Sequence, residues 1–326
     1  MSLFRSVSAL ATGAALSLGI VAALSVASAA DIPVKAAPIV GPSVPLDVHG
    51  SFDFTIASNR VTGGGLYLYP SRGLLEQASI GLSLDLYKNP TGFINGVTLY
   101  GGVWNEAWTD PPPGGRHWQE MDWWVGVTVG FAQHWKFSAE HLEFHFPGGI
   151  PTAFNYVFTL AYNDAHWGWW IPLNPYVSIF YNASGGSTVV FGKTSGGYRV
   201  TVGIAPSVTP FKDIPLSLTF PTSFVFGPSE FWNRSDGTTN VCGATGTLPC
   251  ATSSAGMFST GLQARLGIDS IIPKRLGSWY VKGGVQYYHI FNEALLAAQV
   301  VTGAAPSFVG AHKDIVVGTA GIGFTF

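Results

Sequence analysis

Apolar and polar residues alternate along most of the chain, and a period of two is the mark of a strand with two unlike faces. Ala78, Ile80, Leu82, Leu84 and Leu86 are interleaved with Gln77, Ser79, Gly81, Ser83 and Asp85. Met121, Trp123, Val125, Val127, Val129 and Phe131 are interleaved with Glu120, Asp122, Trp124, Gly126, Thr128 and Gly130. The dyad recurs where Arg199, Thr201 and Gly203 oppose Val200, Val202 and Ile204, and where Gln263 and Arg265 oppose Leu262, Ala264 and Leu266. It returns at the last residues, with Ile322, Phe324 and Phe326 set against Gly321, Gly323 and Thr325. Twelve such segments are predicted, near 48–58, 76–88, 94–108, 118–131, 135–146, 152–163, 175–191, 197–208, 214–231, 256–268, 279–293 and 313–326.

Which solvent each face meets follows from what the polar face is made of. It holds Gly, Ser, Thr and Asn with scattered charge, which suits a lumen better than the strongly polar surface of a soluble sandwich or lectin-like domain. Charged residues are 10% of the chain, against about 25% in soluble domains. The longest uncharged stretch that invites a spanning helix, 165–192, is interrupted by Pro172, Pro175, Gly185 and Gly186, so it lacks the roughly 20 apolar residues that such a helix needs. Strands cross a membrane only as a closed barrel, because lipid leaves no backbone group unpaired. The expected fold is therefore all-β, a transmembrane antiparallel up-and-down barrel of about 12 strands, an even number as single-chain bacterial barrels require. Short turns are expected at 88–92, 131–135 and 209–215 and long loops at 232–256 and 294–312 on the opposite side; links 164–174 and 269–278 run longer than that rule. Trp104, Trp108, Trp118, Trp135, Trp167, Trp169, Trp170 and Trp279 lie near strand ends, as interfacial girdles do.

The start of the chain adds an address. Arg5, an apolar run over 9–26 and the small residues Ala27–Ala30 read as a secretory signal peptide over 1–30. Residues 31–47, with Pro33, Pro38, Pro42 and Pro45, read as an extended linker, and 48–326 as the barrel. Losing Arg5 leaves 15 basic against 18 acidic residues, a formal charge of −3. There is no basic patch for nucleic acid.

Candidate chemistry is sparse. Cys242 and Cys250 sit in the longest loop of an exported chain, which predicts a disulfide. The first five strands contribute Asp53, Asp85, Glu106, Glu120, Asp122, Glu140 and Glu143, with Lys136 as the exception; strands eight to eleven contribute Arg199, Arg265 and Lys282. In a closed ring these groups face one another, so Asp85, Glu106, Glu120, Asp122, Arg199, Arg265 and Lys282 are the expected pore-lining set, with a field across a narrow pore. The alternative is that they pair across the lumen as a salt-bridged plug. Outward apolar residues change parity near Glu140–Leu142, which predicts a bulge there. That slip would take His141 off the face of Glu143 and His145, so no metal site is expected from them. His134, His141 and His145 have no Ser–Asn–Gly cluster beside them, "YNASGGS" (Tyr181–Ser187) lacks the context of a nucleophile elbow, and no Walker-type loop or dinucleotide fingerprint occurs. No enzymatic activity and no cofactor are expected.

The runs "LYGGVWNEAWTD" (Leu99–Asp110) and "EMDWWVGVTVGF" (Glu120–Phe131) resemble the Gly-Val-Trp strand and following acidic strand of the TorF-type porin family of proteobacteria. "DIPVKAAP" after the cleavage point resembles the start of alphaproteobacterial outer-membrane proteins. The resemblance implies passive transport without naming a substrate. A terminal aromatic on a last strand also resembles the signal read by the outer-membrane assembly machinery, which would make Phe326 its contact. The expected protein is thus a porin-like channel for small hydrophilic solutes in the outer membrane of a Gram-negative bacterium, surrounded by membrane lipid and lipopolysaccharide. The alternative is a non-conducting barrel whose loops serve adhesion, binding or a structural role.

Overall fold

The computed structural model describes residues 47–68, 73–111, 116–147, 152–185, 196–232, 253–273, 275, 277–301 and 310–326. The expected signal peptide, nearly all of the linker, and Cys242 with Cys250 lie outside the described residues. In chain order the strands are β1 (Asp47–Ala57), a small hairpin of β2 (Arg60–Val61) and β3 (Tyr67–Leu68), β4 (Leu75–Lys88), β5 (Ile94–Trp108), β6 (Trp118–Phe131), β7 (Trp135–His145), β8 (Ala153–Tyr162), β9 (Tyr176–Gly185), β10 (Tyr198–Ile204), β11 (Ser207–Val208), β12 (Leu216–Thr219), β13 (Thr222–Phe226), β14 (Ala255–Gly267), β15 (Ser278–Ile290) and β16 (Asp314–Thr325).

Apart from the hairpin, these form one closed antiparallel sheet of twelve staves. Two staves are broken in the middle, β10 from β11 at Pro206 and β12 from β13 at Pro221, because proline has no N–H to give the ladder. The last stave closes on the first, with Ser51 opposite Thr325 and Ala57 opposite Thr319. Beyond that register Gly50 and Phe326 exchange backbone hydrogen bonds of 3.0 and 3.1 Å. A Cβ on Gly50 would lie 2.1 Å from the Phe326 ring, so only glycine lets the terminal ring lie over β1.

One end of the barrel carries the start of β1, the end of β16 and the links 89–93, 132–134, 163–175, 209–215 and 268–277; call it the turn end. The long 163–175 link is ordered by Asp164, whose buried carboxylate accepts the N–H groups of Leu173 and Asn174, both at 2.9 Å. At the opposite, loop end, two helices stand where strand or loop was expected. Ser229–Trp232 straddles the end of the predicted ninth strand, and Glu293–Val301 runs from the last residue of the predicted eleventh strand into the predicted last loop. The second is capped by Asn292, whose Oδ1 accepts the Ala294 N–H at 3.0 Å.

The outward row is apolar through the middle of the wall: Ile80 is 52% and Val125 43% exposed. Inward, the lumen changes character with height. At the loop end the hairpin β2–β3 folds into the barrel and buries Val61, Leu66, Tyr67 and Leu68 against Phe231, Trp232 and Leu295. Gly65, at a φ of 91° in the turn of this hairpin, sits where a Cβ would come 2.8 Å from the Leu295 side chain. Together these elements make an apolar plug.

That plug explains why the expected bulge at Glu140–Leu142 is absent. β7 pairs without a register shift from Met121↔His145 to Phe131↔Trp135 on one side and from Trp135↔Tyr162 to Phe144↔Ala153 on the other. Leu142 and Phe144 point inward, into the plug cluster. His141, Glu143 and His145 point outward. The parity change is a change of surroundings, not of backbone. Trp104 and Trp108 depart from the girdle expectation for the same reason: both face inward and are buried. Trp118, Trp135, Trp167, Trp169 and Trp170 are exposed as a girdle requires, Trp170 to 92%.

Candidate channel lumen

The sequence-predicted lumen residues sort into two storeys. Glu106, Glu120 and Asp122 face inward near the loop ends of β5 and β6, where all three are buried. Arg60, on β2, reaches them from the plug: its Nη1 donates to Glu106 Oε1 and its Nη2 to Glu120 Oε2 at 2.6 Å. The Trp108 indole N–H adds a 3.2 Å bond to Glu106 Oε1. Burial opposes the Arg60 charge, but Glu106 and Glu120 outweigh it and hold the guanidinium protonated. A guanidinium suits this place because its planar fork bonds two carboxylates at once. The pairing of β5 and β6 slips between Glu106 and Ala107, so Gln119 bulges beside Glu120.

Arg199 fastens the plug from another stave. Its Nε donates to the carbonyl of Gly63 at 3.0 Å, and its guanidinium lies 4.1 Å above the Phe180 ring. Arg60 was absent from the predicted set because a short loop segment carries no strand signal. The only hint was an arginine in a loop opposite an acidic pair.

Below the plug lies a chamber of about 770 Å³. It runs from Arg60 and Val61 down to Gly267 and Ser278 at the turn end. Arg265 and Lys282 are in its wall, with Lys136 and Glu140 on β7 across from them and Tyr100, Trp104 and Trp124 between. Of the predicted set, Arg265 and Lys282 belong to the turn-end chamber, whereas Glu106, Glu120 and Asp122 stand with Arg199 at the loop end. Lys282 Nζ bonds Asp53 Oδ1. Asp85 sits at the turn-end rim outside the chamber wall, where Lys88 Nζ is 2.9 Å and His49 3.4 Å away.

Asp47, His49 and Asp85 bring three potential ligand atoms within 4.8 Å of one another. The Lys88 ammonium lies 2.5 Å from Asp47 and already supplies the positive charge there.

On the outer wall Glu143 is flanked by His141 at 2.9 Å and His145 at 3.1 Å, each nitrogen meeting a different carboxylate oxygen. Histidines four residues apart on a strand stand about 13 Å apart at Cα, so they do not converge on one ion. Thr152 Oγ1 lies 3.2 Å from His145 Nδ1, but the Trp123 indole N–H faces His145 Nε2 at 3.1 Å. Indole only donates. The same Nε2 also meets Glu143 Oε2 at 3.1 Å, so the ring is held between the indole, the carboxylate and the Thr152 hydroxyl.

No protein-family model matches the chain, and none of the curated proteins does. Among solved structures, an outer-membrane channel from Pseudomonas putida F1 is similar over 90% of this chain and 100% of its own, at 9% identity and a TM-score of 0.47. A bacterial polysaccharide outer-membrane secretin is similar over 85% and 97%, at 7% identity and 0.41. The translocator domain of the autotransporter NalP from Neisseria meningitidis is similar over 86% and 88%, at 13% identity and 0.38. Likenesses this low add nothing to the fold assignment, which rests on the closed ladder of strand pairings.

Proposed function

We propose that the chain is an outer-membrane channel for passive diffusion of small hydrophilic solutes, with the β2–β3 hairpin as its gate. One observation carries the reading: a sealed barrel, apolar outside, encloses a chamber of about 770 Å³ whose wall holds Asp53, Lys136, Glu140, Arg265 and Lys282. Ionisable groups are costly in a dry interior, so a lumen built with them is a lumen for water and what dissolves in it. The hairpin is the element that stands between this chamber and the loop end, and it is held by discrete polar attachments, Arg60 to the two glutamates and Gly63 to Arg199. The Gram-negative outer membrane is the setting for such a barrel, with lipopolysaccharide and phospholipid against the outward row and Phe326 as the residue offered to the assembly machinery.

The apolar plug favours one rival, a non-conducting barrel whose loops bind a partner. Planar-bilayer recordings of the refolded protein separate the two. Discrete conductance steps, with an ion preference that moves on Arg265→Glu, support the channel. A bilayer that stays silent for the wild type and for variants that release the hairpin sinks it.

A further inference from the structure

We propose that Arg265 and Lys282 form a binding site for a small organic carboxylate inside the chamber, and that such monoanions are the solutes admitted. The second half rests on the channel reading; the binding site stands without it.

The β14–β15 register sets Arg265 directly opposite Lys282, with both side chains facing inward. Like charges directly opposite on paired strands repel, so something must compensate them. Lys282 is answered by Asp53, whose carboxylate also accepts the Tyr280 hydroxyl at 3.0 Å and the Thr55 hydroxyl at 2.9 Å and makes no ion pair with Arg265. Asp269, the next carboxylate in the chamber wall, accepts the backbone N–H of Trp279 at 3.2 Å. Among the described residues Arg265 makes no ion pair. Its guanidinium lies 3.7 Å from the Tyr280 ring centroid.

This contact with the ring face uses none of the five N–H donors of the guanidinium. Those donors are left to the chamber. At the Arg265–Lys282 pair itself two cations face one carboxylate, Asp53, so one positive charge is unmatched there, which suits a monoanion. Asp269, further along the wall, adds a negative charge that disfavours a phosphate dianion. A carboxylate also fits the planar fork with two parallel bonds. Tyr280 beside it and Tyr100 and Trp124 in the same chamber offer ring faces to an apolar or aromatic body. The volume, about 770 Å³, lies in the range of pockets for drug-sized molecules.

Calorimetric titration of the refolded, detergent-solubilised barrel with benzoate tests this, with neutral, isosteric benzamide as comparison. Benzoate should bind and benzamide should bind at least about tenfold more weakly, the value of one charge-assisted bond. Arg265→Gln should weaken benzoate by at least about tenfold, Arg265→Lys should restore part of it, and Asp53→Asn, which frees Lys282, should tighten it. Folding of each variant is read from heat-modifiable gel migration. The proposal is overturned if folded Arg265→Gln binds benzoate like the wild type, if benzamide matches benzoate, or if benzoate gives no heat. A barrel that binds benzoate and passes no current keeps this site and sinks the channel reading instead.

Discussion

Replacing Arg60 by alanine tests the latch most directly. Its guanidinium stands between Glu106 and Glu120 with its side chain 8% exposed and theirs 0% and 3%. Asp122 is buried on the same wall. Taking the cation away leaves buried carboxylates without their counter-charge, a loss of about 3–5 kcal/mol. At 1.4 kcal/mol per tenfold change, that shifts the hairpin from docked to undocked by roughly two to four powers of ten. The barrel wall does not depend on it, since every stave keeps its neighbours, and the apolar residues of the hairpin keep their own drive to bury. Refolded Arg60→Ala should therefore insert normally and show a much higher open probability in single-channel recordings. Arg60→Ala combined with Glu106→Gln and Glu120→Gln removes the uncompensated charges as well and should close again. The reasoning fails if wild type and Arg60→Ala have the same open probability and conductance, or if the triple variant is as open as the single one.

Two further predictions probe the wall. Arginine in place of Ile80, at mid-stave on the outward row, should cost about 2–4 kcal/mol in urea unfolding from lipid vesicles, whereas His145→Arg near the loop end should cost about 0–1 kcal/mol; equal costs would refute the assignment of faces and heights. Gly50→Ala places a Cβ 2.1 Å from the Phe326 ring and should destabilise the barrel by about 1–3 kcal/mol through overpacking. Phe326→Ala in the same chain should recover most of that loss; strictly additive effects would show that the two residues are not coupled.

The wall of the barrel was legible because its rules are local. Alternation gives the strands and their faces, and Gly, Pro and Asn mark the turns; the stave Ile94–Trp108 has the same bounds in sequence and structure. The plug was not legible, because its grip is non-local. Arg60 meets Glu106 and Glu120 across sequence separations of 46 and 60 residues, and no periodicity joins them. The helix Glu293–Val301 does carry a local signal: "EALLAAQVV" is rich in strong helix formers and follows Asn292 in the N-cap position. It reads as loop only if every segment is required to be wall or link.

The parity of β7 shows how the hidden part corrupted the legible part. A binary pattern reports which side of a strand is apolar, and in the middle of a membrane barrel that side is the outer one. Near the loop end of this barrel the inner side is apolar too, because Leu142 and Phe144 meet the plug and not water. The outer side there is polar: His141, Glu143 and His145 on β7 are matched by Tyr287 and His289, whose polar atoms lie 2.5 and 2.7 Å from Asp314 Oδ1. Both groups sit at the same end of the wall, on different staves, with the polarity reversed in the same sense. A bulge in one strand would give one reversal. Two at one height mark the level where the hydrocarbon stops outside and the plug begins inside, so the same residues that mislead a strand-by-strand reading locate the upper edge of the apolar belt.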